Sequence, residues 1–168
     1  MAGKIIIGVM GPGEAATPDQ NEIAYELGQA IAREGWITLT GGRSFGIMDA
    51  ALKGAAEIGG LTIGILPGDS DMHASENAQI KIITSMGSGR NYISVLSSHV
   101  LVVLGMAAGT ASEVALAIKS NKKVILLNQD EDTTKFFKKI GTYKILVSTT
   151  IGEAIQMIKD YLIVHSIK

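Results

Sequence analysis

Short runs of apolar residues recur along the chain, separated by longer stretches in which apolar positions return every three or four residues. The runs cover 5–10, 36–40, 61–66, 80–84, 100–104, 124–127 and 144–147. They are rich in Ile, Val and Leu and show no strict polar alternation, the pattern of parallel strands covered on both faces. The stretches between them read as helices. Thr17 is placed to cap the first, with Pro18 in its opening turn and Gln20 closing a capping box. Ile23, Leu27, Ala30 and Ile31 then share a face, and Gly35 stops the helix. Ile47, Ala51, Leu52 and Ala55 repeat the pattern ahead of Gly59-Gly60. Val114, Ala117 and Ile118 mark a face within 110–120, and Ala154, Ile155, Ile158 and Leu162 one within 151–163. This alternation predicts a doubly wound, Rossmann-like α/β fold: a mainly parallel sheet of about seven strands with helices on both faces, in one domain over 1–168.

Composition sharpens this picture in a few places. There are 15 basic and 16 acidic residues in 168, so no basic excess points to nucleic acid. No cysteine is present, which removes disulfides and thiolate metal sites. No apolar run is long enough to span a bilayer, and the first strand begins almost at once, without a secretory leader pattern; a cytoplasmic protein is expected. His73, His99 and His165 have no partners at metal-ligand spacing. The polar stretch 68–77 is expected to be a surface excursion near a ligand mouth.

The 20 glycines concentrate where strands end. Three glycine-rich loops fall there: Gly8-Val9-Met10-Gly11-Pro12-Gly13, then Thr40-Gly41-Gly42-Arg43-Ser44-Phe45-Gly46, then Gly105-Met106-Ala107-Ala108-Gly109-Thr110-Ala111-Ser112-Glu113 at the start of a helix. Open parallel sheets bind ligands at the carboxyl ends of strands, where the strand order reverses. Glycine lets the backbone approach an anion, and a helix N-terminus offers it unpaired N–H groups. A small phosphate-bearing ligand is therefore expected, with Arg43 and Arg90 as guanidinium clamps. Thr110 is placed to cap its helix or to donate its hydroxyl to a phosphate oxygen. No Gly-Lys-Ser/Thr follows the first or the third loop, so neither is a Walker A. No acidic residue ends the second strand, which argues against NAD. Glu113 has two readings: a first-turn acid favouring the helix dipole, or a general acid/base facing the cleft. Asp49 reads as a polar-face residue. Met10 and Met106 are candidates for the pocket wall.

These residues also carry resemblances. Thr40-Gly41-Gly42-Arg43-Ser44, with Gly46-Ile47-Met48, and Gly105, Gly109-Thr110-Ala111 and Glu113 resemble the paired signatures of the Lonely-guy and lysine decarboxylase-like superfamily. That likeness implies a nucleoside 5′-monophosphate phosphoribohydrolase with Arg90 and Glu113 as the catalytic pair. The Pro-Gly-Gly of that signature is here Gly105-Met106-Ala107-Ala108, whose extra methyl groups keep a phosphate farther from the backbone. A longer match joins 7–13, 35–44 and 105–117 and is similar to the molybdenum cofactor carrier family. It implies a non-enzymatic carrier that binds molybdopterin and its molybdenum, protects the cofactor and passes it to molybdenum enzymes. It also implies a homo-oligomer, a dimer or a tetramer; Ile93, Val95, Ala115 and Leu116 are candidates for its interface. The binding residues expected on this likeness are Gly11, Pro12, Gly13, Gly41, Gly42, Arg43, Ser44, Arg90, Asn91, Gly105, Met106, Ala108, Gly109, Thr110 and Glu113. A nucleotide-sensing module that acts through a partner is a third reading.

Overall fold

The structure, a computed structural model, describes residues 4–166, so the expected domain over 1–168 reaches beyond the described residues at both ends. Its strands are β1 (Ile6–Met10), β2 (Ile37–Thr40), β3 (Thr62–Leu66), β4 (Ile80–Ile83), β5 (Val100–Leu104), β6 (Lys123–Leu127) and β7 (Ile145–Ser148). Its helices are α1 (Pro18–Arg33), α2 (Gly46–Glu57), α3 (Arg90–Ser97), α4 (Ala108–Lys119), α5 (Glu131–Gly141) and α6 (Ile151–Val164). The seven strands pair in the order β4-β3-β2-β1-β5-β6-β7, and every pairing is parallel. This is the Rossmann-like doubly wound sheet that the strand–helix alternation predicts. Among the described residues no helix is long and apolar enough to cross a membrane.

Two apolar layers explain why the strands lack polar alternation. Ile7 and Val9 of β1, Val100, Val102 and Leu104 of β5, and Ile125 and Leu127 of β6 pack against α1, α2 and α6. The intervening residues Leu101, Val103, Val124 and Leu126 pack with Val95 of α3, Val114 and Ala117 of α4, and Phe137 of α5. Both faces of the central strands are thus buried. β4 at the edge is exposed along its length.

The local signals act where expected. Thr17 Oγ1 accepts from the Gln20 amide at 3.2 Å, and Gln20 Oε1 accepts from the Thr17 amide at 3.1 Å. The buried stripe of α1 differs from the expected one: it is Ala24, Leu27, Gly28 and Ile31, with Ile23 and Ala30 only half-buried. Close packing of α1 on α2 is the cause. A Cβ on Gly28 would run into the Ala51 carbonyl, and one on Gly54 into the Tyr25 carbonyl. These two glycines serve helix contact, not a turn. Ile118 is likewise only half-buried, because the inner face of α4 passes through Thr110 and Glu113. Val95 lies in the core, not on an outer face, while Ala115 is exposed.

Neither α3 nor α5 is among the helices that the periodicity marks; each is short and buries a single large apolar residue, Val95 in α3 and Phe137 in α5. α5 does carry end signals: the Asp130 side chain accepts from the Thr133 amide at 2.8 Å, with Glu131 and Asp132 in the first turn and Lys138 and Lys139 in the last.

Candidate functional site

The sheet runs from β1 outward to β4, then resumes with β5 on the other side of β1. The connections leaving β1 and β5 therefore diverge, and a crevice opens at their carboxyl ends. A cleft of about 230 Å³ occupies it. Gly11, Pro12 and Gly13 line it from the loop after β1, Gly41 and Arg43 from the loop after β2, and Gly109, Thr110 and Glu113 from α4. Arg90 and Asn91 enter from the start of α3. All three glycine-rich loops thus meet in one place.

Five of the expected residues stand apart from it. Gly42 packs on Gly64 with φ +73°, a conformation open mainly to glycine. Ser44 is exposed, and its amide donates to the His73 carbonyl at 3.1 Å. Gly105 turns at φ +69° against Gln20 and Pro12. Met106 packs on the α4 side of the core, so of the two methionines named for the wall only Met10 lies there. Ala108 is absent from the lining, whereas its neighbour Ala107 is present. Val9 and Met48, which lie within the quoted motifs but were not named as binding residues, complete the wall with Pro67, Gly87 and Ser88, which no motif announced.

Arg90 is the central cation. Its side chain is 10% exposed, and Nη1 lies 3.9 Å from Glu113 Oε1, a loose contact rather than a two-point pair. Its Nε is buried and has no hydrogen-bond partner among the described residues. The guanidinium lies directly over Gly41, where any Cβ would collide with it. That explains glycine at 41: its missing side chain is the space Arg90 fills. Burial pushes the Arg90 pKa down, Glu113 opposes this, and the like charge of Arg43 adds to it. Burial also raises the Glu113 pKa to about 7, against the attraction of Arg90. Near neutral pH the site therefore carries two guanidinium groups and a carboxyl that burial biases toward its protonated form.

The start of α4 adds to this positive potential. Its N-cap is Ala107, which has no side chain able to cap, so the first-turn amides are left for a ligand. Thr110 is in the first turn and 2% exposed; it does not cap the helix. Residues remote in sequence hold this end in place. Gln129 Nε2 donates to the Gly105 carbonyl at 3.0 Å and to the Val103 carbonyl at 3.2 Å. Asn91 Nδ2 donates to Ser112 Oγ at 3.1 Å, and Ser112 Oγ donates to the Gly109 carbonyl at 2.6 Å.

The polar stretch 68–77 lies beside Arg43. Arg43 and Ala74 form an antiparallel bridge, and the Ser75 amide donates to the Gly42 carbonyl at 2.8 Å. Asp49 is more than a polar-face residue. It accepts from Ser75 Oγ at 2.5 Å and from Asn77 Nδ2 at 3.3 Å, tying this stretch to α2. His99 is structural: its Nδ1 accepts from the Ile6 amide at 3.0 Å.

Solved structures share this fold. The chain is similar to the molybdenum cofactor binding protein of Rippkaea orientalis, at 47% identity and a TM-score of 0.93, covering 95% of this chain and 98% of that one. It is similar to the molybdenum cofactor carrier protein of Chlamydomonas reinhardtii, at 49% identity and a TM-score of 0.91, covering 95% and 99%. An uncharacterised protein of Archaeoglobus fulgidus is 43% identical over 121 residues, 72% of this chain and 78% of its own length. The model of the SLOG cluster4 family matches residues 4–155. The chain belongs to the SLOG cluster4 family.

Proposed function

We propose that this protein binds the molybdenum cofactor in the cleft between α3 and α4 and carries it to molybdenum enzymes. The observation that carries this is the likeness to two cofactor-binding proteins at 47% and 49% identity over 95% of the chain. The site's chemistry agrees with it. Molybdopterin ends in a phosphate, and a buried guanidinium with an unpartnered Nε, beside uncapped helix amides, suits such a group. Arg43, Arg90 and the first-turn amides of α4 would hold the phosphate. The cofactor's own sulfurs hold the molybdenum, so a cargo of this kind asks for no protein thiolate, and the chain has none. In this reading the protein is a cytoplasmic homo-oligomer, and its receivers are the enzymes that use the cofactor.

The test is retention. Purified protein incubated with molybdopterin and desalted should keep it, seen as the fluorescent oxidised pterin, and should prolong its ability to activate cofactor-free nitrate reductase. Absence of both effects defeats the proposal.

One observation favours a second reading. Glu113, with its pKa near 7 beside Arg90, has the protonation behaviour of a general acid/base. A nucleoside 5′-monophosphate hydrolase would release free base from AMP, detected by chromatography, and Glu113→Gln would abolish that release. Intact AMP after prolonged incubation leaves the carrier reading alone.

A further inference from the structure

The cleft at Arg90 has a larger neighbour. A second hollow of about 430 Å³ opens between the loop after β2 and the stretch 66–74. The two share Arg43 and Pro67 as walls. Leu66, Met72 and Ala74 give the second hollow apolar lining, and Ser70 and His73 give it polar groups. Nothing in the anion site accounts for it.

The hollow is preformed. Its rim is tied by backbone bonds on both sides: Ser44 N–H to the His73 carbonyl at 3.1 Å, Ser85 N–H to the Gly68 carbonyl at 2.8 Å, and Gly87 N–H to the Pro67 carbonyl at 2.9 Å. Arg43 is also fixed, with its guanidinium carbon 4.4 Å from the centre of the Phe45 ring. A planar cation held in this way presents a flat surface on which a ring can stack.

Volume decides between one subsite and two. Small-molecule sites span about 300–1,000 Å³. The Arg90 cleft alone falls below that range, and its wall of glycines, two arginines and a helix start suits an anionic head group. Joined through Arg43, the two hollows fall within the range. We infer that they form one bipartite site, in which the Arg90 cleft takes a phosphate and the second hollow takes the fused, nitrogen-rich heterocycle attached to it. This rests on the Arg90 cleft being an anion site.

Two glycines allow each half to be blocked separately. Gly68 lines only the second hollow, and a Cβ there would lie 3.8 Å from its nearest neighbour, the Ser70 carbonyl. Gly109 lines only the first, and a Cβ there meets nothing within 4 Å. Isothermal titration of the full chain with inorganic phosphate and with neopterin monophosphate separates the halves. Wild type should bind the pterin phosphate at least tenfold more tightly than phosphate. Gly68→Trp should remove that gain and leave phosphate affinity within twofold. Gly109→Leu should weaken both. Asp69→Trp fills the same hollow from an exposed position and should repeat the Gly68→Trp result, so misfolding of one variant cannot pass for lost binding. The bipartite site is overturned if wild type binds phosphate but gains nothing from the ring, or if both tryptophan variants keep the gain. Failure of wild type to bind phosphate overturns the anion site itself, and this inference with it.

Discussion

At the scale of single residues, the chemistry rests on Arg90, Arg43 and Glu113. A charge-assisted hydrogen bond contributes on the order of 1.5–3 kcal/mol. Arg90→Ala and Arg43→Ala should each weaken phosphate binding by about 10- to 150-fold in calorimetry. Thermal melting without ligand should change little for Arg43→Ala, whose side chain is partly exposed. Glu113 makes a separate prediction in pH. Its native pKa of about 7 lies above its ordinary 4.5, so between those values the folded protein binds more protons than the unfolded chain. Stability must then fall as pH rises through that window and level off above it. The loss is on the order of a few kcal/mol, at roughly 1.4 kcal/mol per pKa unit. Glu113→Gln lacks this proton, so urea unfolding should show the variant gaining on wild type from pH 5 to pH 8. A constant difference would mean that Glu113 does not titrate there. Anion binding couples to the same group. A phosphate in the cleft favours protonated Glu113, so affinity should decline from pH 6 to pH 8 more steeply in wild type than in Glu113→Gln. The phosphate's own titration is common to both proteins and cancels in that comparison.

At the scale of elements, helix propensity and packing make opposite predictions for one position. In an isolated helix, Gly28→Ala should stabilise by up to about 1 kcal/mol. In this protein the added methyl meets the Ala51 carbonyl, and α1 must move off α2. Overpacking of this kind costs roughly 1–3 kcal/mol, so packing wins and the midpoint of urea unfolding should drop. The same contact explains why the buried stripe of α1 runs through Ala24 and Gly28 and not through Ile23 and Ala30. Asp49 acts between elements. Asp49→Ala removes the acceptor of Ser75 and Asn77, and hydrogen exchange should quicken at the Ser75 amide, which donates to Gly42. The amides of β5 and β6 should keep their protection, because they lie in the doubly covered core.

At the scale of the molecule, the reversal of strand order between β1 and β5 creates the crevice. Gln129, beyond β6, reaches two carbonyls at the end of β5. Gln129→Ala should weaken phosphate binding several-fold with little loss of global stability, since it loosens the loop without touching the ligand. An unchanged affinity would mean that the loop holds its shape unaided. The strands and the capped start of α1 were legible in the sequence because they are set by neighbours a few residues away: buried apolar runs, and Thr17 three positions before Gln20. The glycine-rich turns were legible for the same reason, as backbone conformations that few other residues adopt. What folding alone decided is which of these turns share a cavity. Arg90 meets Gly41, 49 positions earlier, and Glu113, 23 later, and their burial raises the carboxyl's pKa to about 7. Desolvation depends on every atom packed around a charge, and most of those atoms come from distant parts of the chain. No spacing or periodicity carries that information, so the charge state of the site belongs to the tertiary structure.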